Sequence, residues 1–182
     1  MSQIGVLNIY EIKTAEQELR EFHERGLIND VKFEKLNKIL EFIGEIDAKL
    51  IETNGDASIV YSEFKNKMVE LESQISGLEE NDKNFCLIVA AISRYSVFYW
   101  LNQASLTESP WHVPNCHSTG FKFSWGKLGA GDAVGAVAGA TRFGVAALLG
   151  GPVGWGAAGT AALSTGLGAS AGYAVGALFG WL

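Results

Sequence analysis

The sequence predicts an all-α protein: an N-terminal helical bundle built on a helical hairpin, followed by a Gly/Ala-rich hydrophobic helical hairpin. Three observations carry this. Before residue 102, apolar side chains recur at three- and four-residue spacing, the period of one helix face. From Gly129 onward, glycines recur at every fourth position, first Gly131, Gly135 and Gly139, then Gly168, Gly172, Gly176 and Gly180. Charge divides the chain at the same place. Nineteen of the twenty acidic and thirteen of the fourteen basic residues precede Gly131, and none follows Arg142. The expected layout is a soluble helical domain over residues 1–105, an aromatic linker over 106–128 and a glycine-zipper hairpin over 129–182.

Taken in order, residues 5–12 read as a short strand or an extended lead-in. The start of the chain lacks the basic n-region and apolar h-region of a secretory signal. The expectation is a protein made in the cytoplasm that becomes membrane-associated or leaves by a route without a classical signal peptide. Cys86 and Cys116 then read as free thiols of a reducing compartment. Thr14 and Gln17 have the T-x-x-Q spacing of a capping box, opening a helix that runs to about Gly26. His23 lies on it as a solvated side chain.

Asp30 is placed to cap a second helix, with Leu36, Ile39, Leu40, Ile43, Ile46 and Leu50 as its apolar stripe. Asn54-Gly55-Asp56 supplies turn chemistry, and a third helix follows to about Gly77. Its stripe is Val60, Phe64, Met68, Leu71, Ile75 and Leu78. Two amphipathic helices joined by an Asn-Gly turn predict an antiparallel hairpin with solvated charged faces.

Asn81-Asp82 caps a fourth helix. Phe85 to Leu101 holds a single charge, Arg94. The stretch fits either a short membrane span or the central helix of a soluble bundle, and the bundle is the preferred reading. In a bundle, Arg94 requires a carboxylate or several carbonyls, because an unpaired buried charge is costly. Residues 103–128 contain Pro110, Pro114 and Gly120 among Trp111, Phe121, Phe123 and Trp125, which marks a linker. The alternation from Phe121 to Trp125 also permits a short strand.

The tail divides at Gly150, Gly151 and Pro152, a turn between segments of about 132–149 and 153–182. At about 1.5 Å per residue, both are long enough to cross a hydrocarbon core of about 30 Å, the first only barely. Trp125, Trp155 and Trp181 are positioned for membrane interfaces. A face of bare glycines admits a second backbone closely, as in small-xxx-small association in lipid. In water each helical glycine costs about 1 kcal/mol relative to alanine. The tail is therefore expected to be helical only against lipid or a tightly packed partner.

Several chemistries find little support in the residues. A net charge of −6 argues against nucleic-acid binding. His112, Cys116 and His117 are zinc-ligand types without a fourth ligand nearby. No P-loop lysine follows the glycines, and Val134 stands where a dinucleotide fingerprint needs its third glycine. No catalytic residue, metal or cofactor is expected, and an enzyme is the least supported class.

The tail, above all GGPVGWGAAGTAALSTGLGASAGYAVGALFGW, resembles the glycine-zipper peptides of class II bacteriocins. The resemblance covers about fifty-five residues. It implies a membrane-active, self-associating hairpin that permeabilises a target cell, with the lipid bilayer and further copies of the chain as partners. The front departs from that family, where a short double-glycine leader would stand. A helical domain before a hydrophobic hairpin also resembles the layout of pore-forming colicins. The leading expectation is thus a pore-forming, bacteriocin-like toxin whose residues 1–105 keep it soluble or dock a protein partner. A shielded form is part of this expectation, with the linker and the 85–101 helix covering the hairpin. The alternative is a structural subunit of a secretion apparatus or filament, packing Gly/Ala helices against each other without lipid.

Overall fold

The computed structural model describes residues 14–105 and 125–149, and within them the chain is all-helical. Thr14 caps α1 (Ala15–Glu24) by accepting from the Gln17 amide, while the Gln17 side chain accepts from the Thr14 amide. This reciprocal pairing is the box that the T-x-x-Q spacing predicts. The helix ends in a Schellman turn. Gly26 takes φ +68°, its amide donates to the His23 carbonyl, and the Leu27 amide donates to Phe22.

The cap of α2 (Asp30–Gly44) is Asn29, whose side chain accepts from the Lys32 amide, and not Asp30 as expected. Asp30 instead bonds His23 Nε2 at 2.6 Å, and the His23 ring stacks on Phe33 at 4.5 Å. His23 therefore ties α1 to α2 and is not simply solvated. The single second helix also divides, because a break at Glu45 separates α2 from α3 (Ile46–Glu52). Gly44 ends α2, and glycine is a common site of helix bending.

Asn54 and Gly55 both take positive φ, and Gly55 donates to the Leu50 carbonyl. Asp56 then caps α4 (Ala57–Ile75) by accepting from Ser58 and Ile59. The next helix, α5 (Glu80–Ser105), begins just before Asn81-Asp82, which lie in its first turn. The last described helix, α6 (Trp125–Leu149), starts inside the expected linker, so residues 125–128 form its first turn.

The core joins all of these elements. The predicted stripes are buried at Leu36, Ile39, Leu40, Ile43 and Ile46, and at Val60, Phe64, Met68, Leu71 and Ile75. Leu19 enters from α1, and Phe85, Cys86, Val89, Val97 and Leu101 from α5. Between them, α6 inserts Ala133, Val134, Ala136 and Val137. Burying one such aliphatic side chain contributes about 1.5–3 kcal/mol, which makes these stripes the main source of stability. The α5 helix packs on α2, α4 and α6, and leaves Tyr95, Phe98 and Tyr99 exposed.

Candidate functional site

The candidate site is the seat of α6, the first glycine-rich run. Of the glycines predicted to pack helices, Gly135 and Gly139 are buried and Gly131 is half-buried. Two glycines outside that register, Gly126 and Gly129, approach their neighbours closely. A Cβ on Gly126 would lie 3.0 Å from the Ile43 carbonyl oxygen and 3.2 Å from Asp47 Oδ2. A Cβ on Gly129 would lie 3.2 Å from methyl carbons of both Ile43 and Val97. The helix thus lies against α2 and α5 at distances that leave little room for a larger residue. Trp125 is its first residue.

Two acidic side chains fix this helix. The Gly126 amide donates to Asp47 Oδ1 of α3 at 3.3 Å, so an acid from elsewhere in the chain sits at the N-terminus of α6. Unsatisfied amides and the helix dipole both favour negative charge there. Further along, Asp132 is fully buried. Its Oδ2 accepts from Ser96 Oγ and, at 3.2 Å, from Trp100 Nε1. Ser96 and Trp100 are one helical turn apart on α5 and so share a face. Sequence spacing missed Asp132 as a packing residue. The available signal was a lone acid within an apolar glycine run, opposite a helix with polar groups four residues apart.

Several charges elsewhere on the bundle are also paired. Arg94 meets Glu72 of α4 at 3.0 Å, the carboxylate that a bundle reading of α5 requires. Lys32 bonds Asp82 at 2.9 Å, and Asn29 donates to the same carboxylate. Burial disfavours the charge on Asp82, but bonds from Lys32 and Asn29 and the charge on Lys32 outweigh it and hold the carboxyl below its usual range. Burial pushes the Cys86 thiol up to about 12, which keeps it protonated and a poor nucleophile. Among the described residues, no group of three His, Cys, Asp or Glu is placed to hold a metal ion.

Among the described residues, one helix, spanning Glu80–Gln103, stands out by length and composition as able to cross a membrane, and half of its most apolar stretch is buried in the bundle. The remaining expected sites lie outside the described residues. They are His112, Cys116 and His117, the turn at Gly150, Gly151 and Pro152, the zipper at Gly168, Gly172, Gly176 and Gly180, and Trp155 and Trp181. The 5–12 lead-in and residues 121–124 of the Phe121–Trp125 strand option also lie outside them, while Trp125 itself is helical.

No protein-family model matches the chain, and no curated protein or solved structure matches it at a significant level.

Proposed function

We propose that this chain is a membrane-active protein in which a helical bundle carries a glycine-zipper tail. The forty residues after Arg142 carry no formal charge, and glycines at four-residue spacing run through their second half. That uncharged stretch carries the proposal. The seat of α6 supports it, because there the same kind of sequence has close partners: α2 lies against Gly126, and α2 and α5 against Gly129. Residues 153–182 require equivalent partners, and lipid together with further copies of the tail provides them. Association through Gly168, Gly172, Gly176 and Gly180, followed by pore formation in a target membrane, is the sharpest form of the reading. The full-length chain is expected to float with liposomes and release an entrapped dye. Gly172→Leu and Gly176→Leu should each abolish crosslinked oligomers and leakage. Undiminished oligomers and leakage in both variants would rule the zipper out.

A second reading is favoured by Asp132. This acid is buried against protein donors, so the first glycine run is suited to a protein neighbour. A structural subunit would extend that preference to the rest of the tail and pack Gly/Ala helices in a large assembly. Such a subunit should remain at the bottom of the flotation gradient as a soluble oligomer.

A further inference from the structure

We infer that the clasp of Ser96 and Trp100 on Asp132 is a catch that holds α6 in the bundle, and that α6 enters the bilayer only when this catch opens. The inference rests on the membrane reading above and names how that activity is held in check.

The α6 helix spans twenty-five residues. At about 1.5 Å per residue it exceeds a hydrocarbon core of about 30 Å. It can therefore serve as one leg of an inserted hairpin, yet its buried surface is committed to protein. Asp132 and Arg142 are charges of α6 that oppose its insertion, and Asp132 is held by α5. An aspartate at the centre of a spanning helix disfavours insertion by about a hundredfold, and Asp132, in the N-terminal third of α6, incurs part of that penalty. In the bundle that cost is offset in part, because two donors on one face of α5 meet one oxygen of the carboxyl. Asp47 adds a second hold at Gly126. Withdrawing α6 would break both contacts and uncover Val134 and Val137, which pack with Leu19, Leu36, Ile39 and Val89. The helix thus has two alternative environments, and the Asp132 clasp biases it toward the bundle. A ligand or membrane shifts such a balance only through its differential affinity for the two states.

Two full-length variants test this without altering Asp132. The first joins α5 to α6. The Val97 Cγ2 methyl lies 3.2 Å from a Cβ built on Gly129, so side chains at these two positions meet across the α5–α6 contact. The double variant Val97→Cys with Gly129→Cys should form a disulfide, checked by mass. With vesicles of phosphatidylcholine and phosphatidylglycerol, the oxidised form should leak dye at least about tenfold less than the same protein after reduction. The second variant, Ser96→Ala with Trp100→Phe, removes both donors from α5 and leaves α6 unchanged. Its amide protection over residues 129–137 should fall by about a hundredfold while α4 stays protected. Its leakage should exceed the parent's. Equal leakage from oxidised and reduced protein overturns the catch, as does unchanged protection in the donor variant. If parent and variants alike fail to float or leak, the membrane reading falls and the release falls with it.

Discussion

Arg94, the one charge in the apolar middle of α5, meets Glu72 of α4 at 3.0 Å. The pair lies at the edge of the bundle, with side chains 34% and 22% exposed. Its Coulomb energy is thus partly screened, while each partner still replaces a hydration shell for the other. Glu72→Gln and Arg94→Gln should each cost about 1 kcal/mol, with a coupling of about 0.5–1 kcal/mol in a double-mutant cycle read by urea unfolding. A coupling near zero would show that Arg94 is satisfied elsewhere.

Asp82 gives a prediction with a fixed sign. Although burial opposes its ionisation, Lys32 and Asn29 hold its folded-state pKa below the ordinary value. The unfolded chain therefore binds the proton more readily. The contribution is complete above the unfolded carboxyl pKa of about 3.9 and is lost as pH falls through the lower folded value. Asp56, bonded by the Ser58 hydroxyl and the Ile59 amide, is shifted in the same direction, so its contribution is likewise lost at acid pH. Thermal unfolding from pH 7 to pH 2 should show a falling midpoint below about pH 4. In Asp82→Asn the fall should be shallower, with the part due to Asp56 retained. An identical pH profile in the variant would show that Asp82 does not contribute.

Local signals in the sequence located most helix ends. Thr14 with Gln17, and the turn at Asn54 and Gly55, act through their immediate neighbours, so spacing alone exposes them. The apolar stripes of α2 and α4 were legible for the same reason, since burial follows the helical period. Tertiary relationships were not. His23 finds Asp30 and Phe33 only after α1 turns back at Gly26. The placement of α6 depends on contacts far apart in sequence, such as Gly126 with Asp47 and Asp132 with Trp100. Glycine periodicity indicated that α6 needs a close neighbour, but it could not say that Ile43 and Val97 of the same chain would be that neighbour.

Glycine-to-alanine substitutions separate a seated helix from one merely in proximity. Alanine removes a backbone entropy cost of about 1 kcal/mol in a helix, so its net effect depends on what the added methyl meets. At Gly44, on the last turn of α2, nothing lies within 4 Å of the new Cβ. Gly44→Ala should therefore stabilise by about 0.5–1 kcal/mol. At Gly129 the Cβ would press on branched side chains of Ile43 and Val97 at 3.2 Å. These can shift slightly, and overpacking of about 1–3 kcal/mol set against the entropy gain leaves a net loss of about 0–2 kcal/mol. At Gly126 the nearest atom is the Ile43 carbonyl oxygen at 3.0 Å, part of a helical backbone that cannot rotate away. The added methyl would also crowd Asp47, whose carboxylate caps this end of α6. Gly126→Ala should be the most destabilising of the three, by about 1–3 kcal/mol in urea unfolding of the full chain. If Gly126→Ala and Gly129→Ala stabilise as Gly44→Ala does, α6 does not occupy this seat in solution, and the first glycine run must find its partner elsewhere.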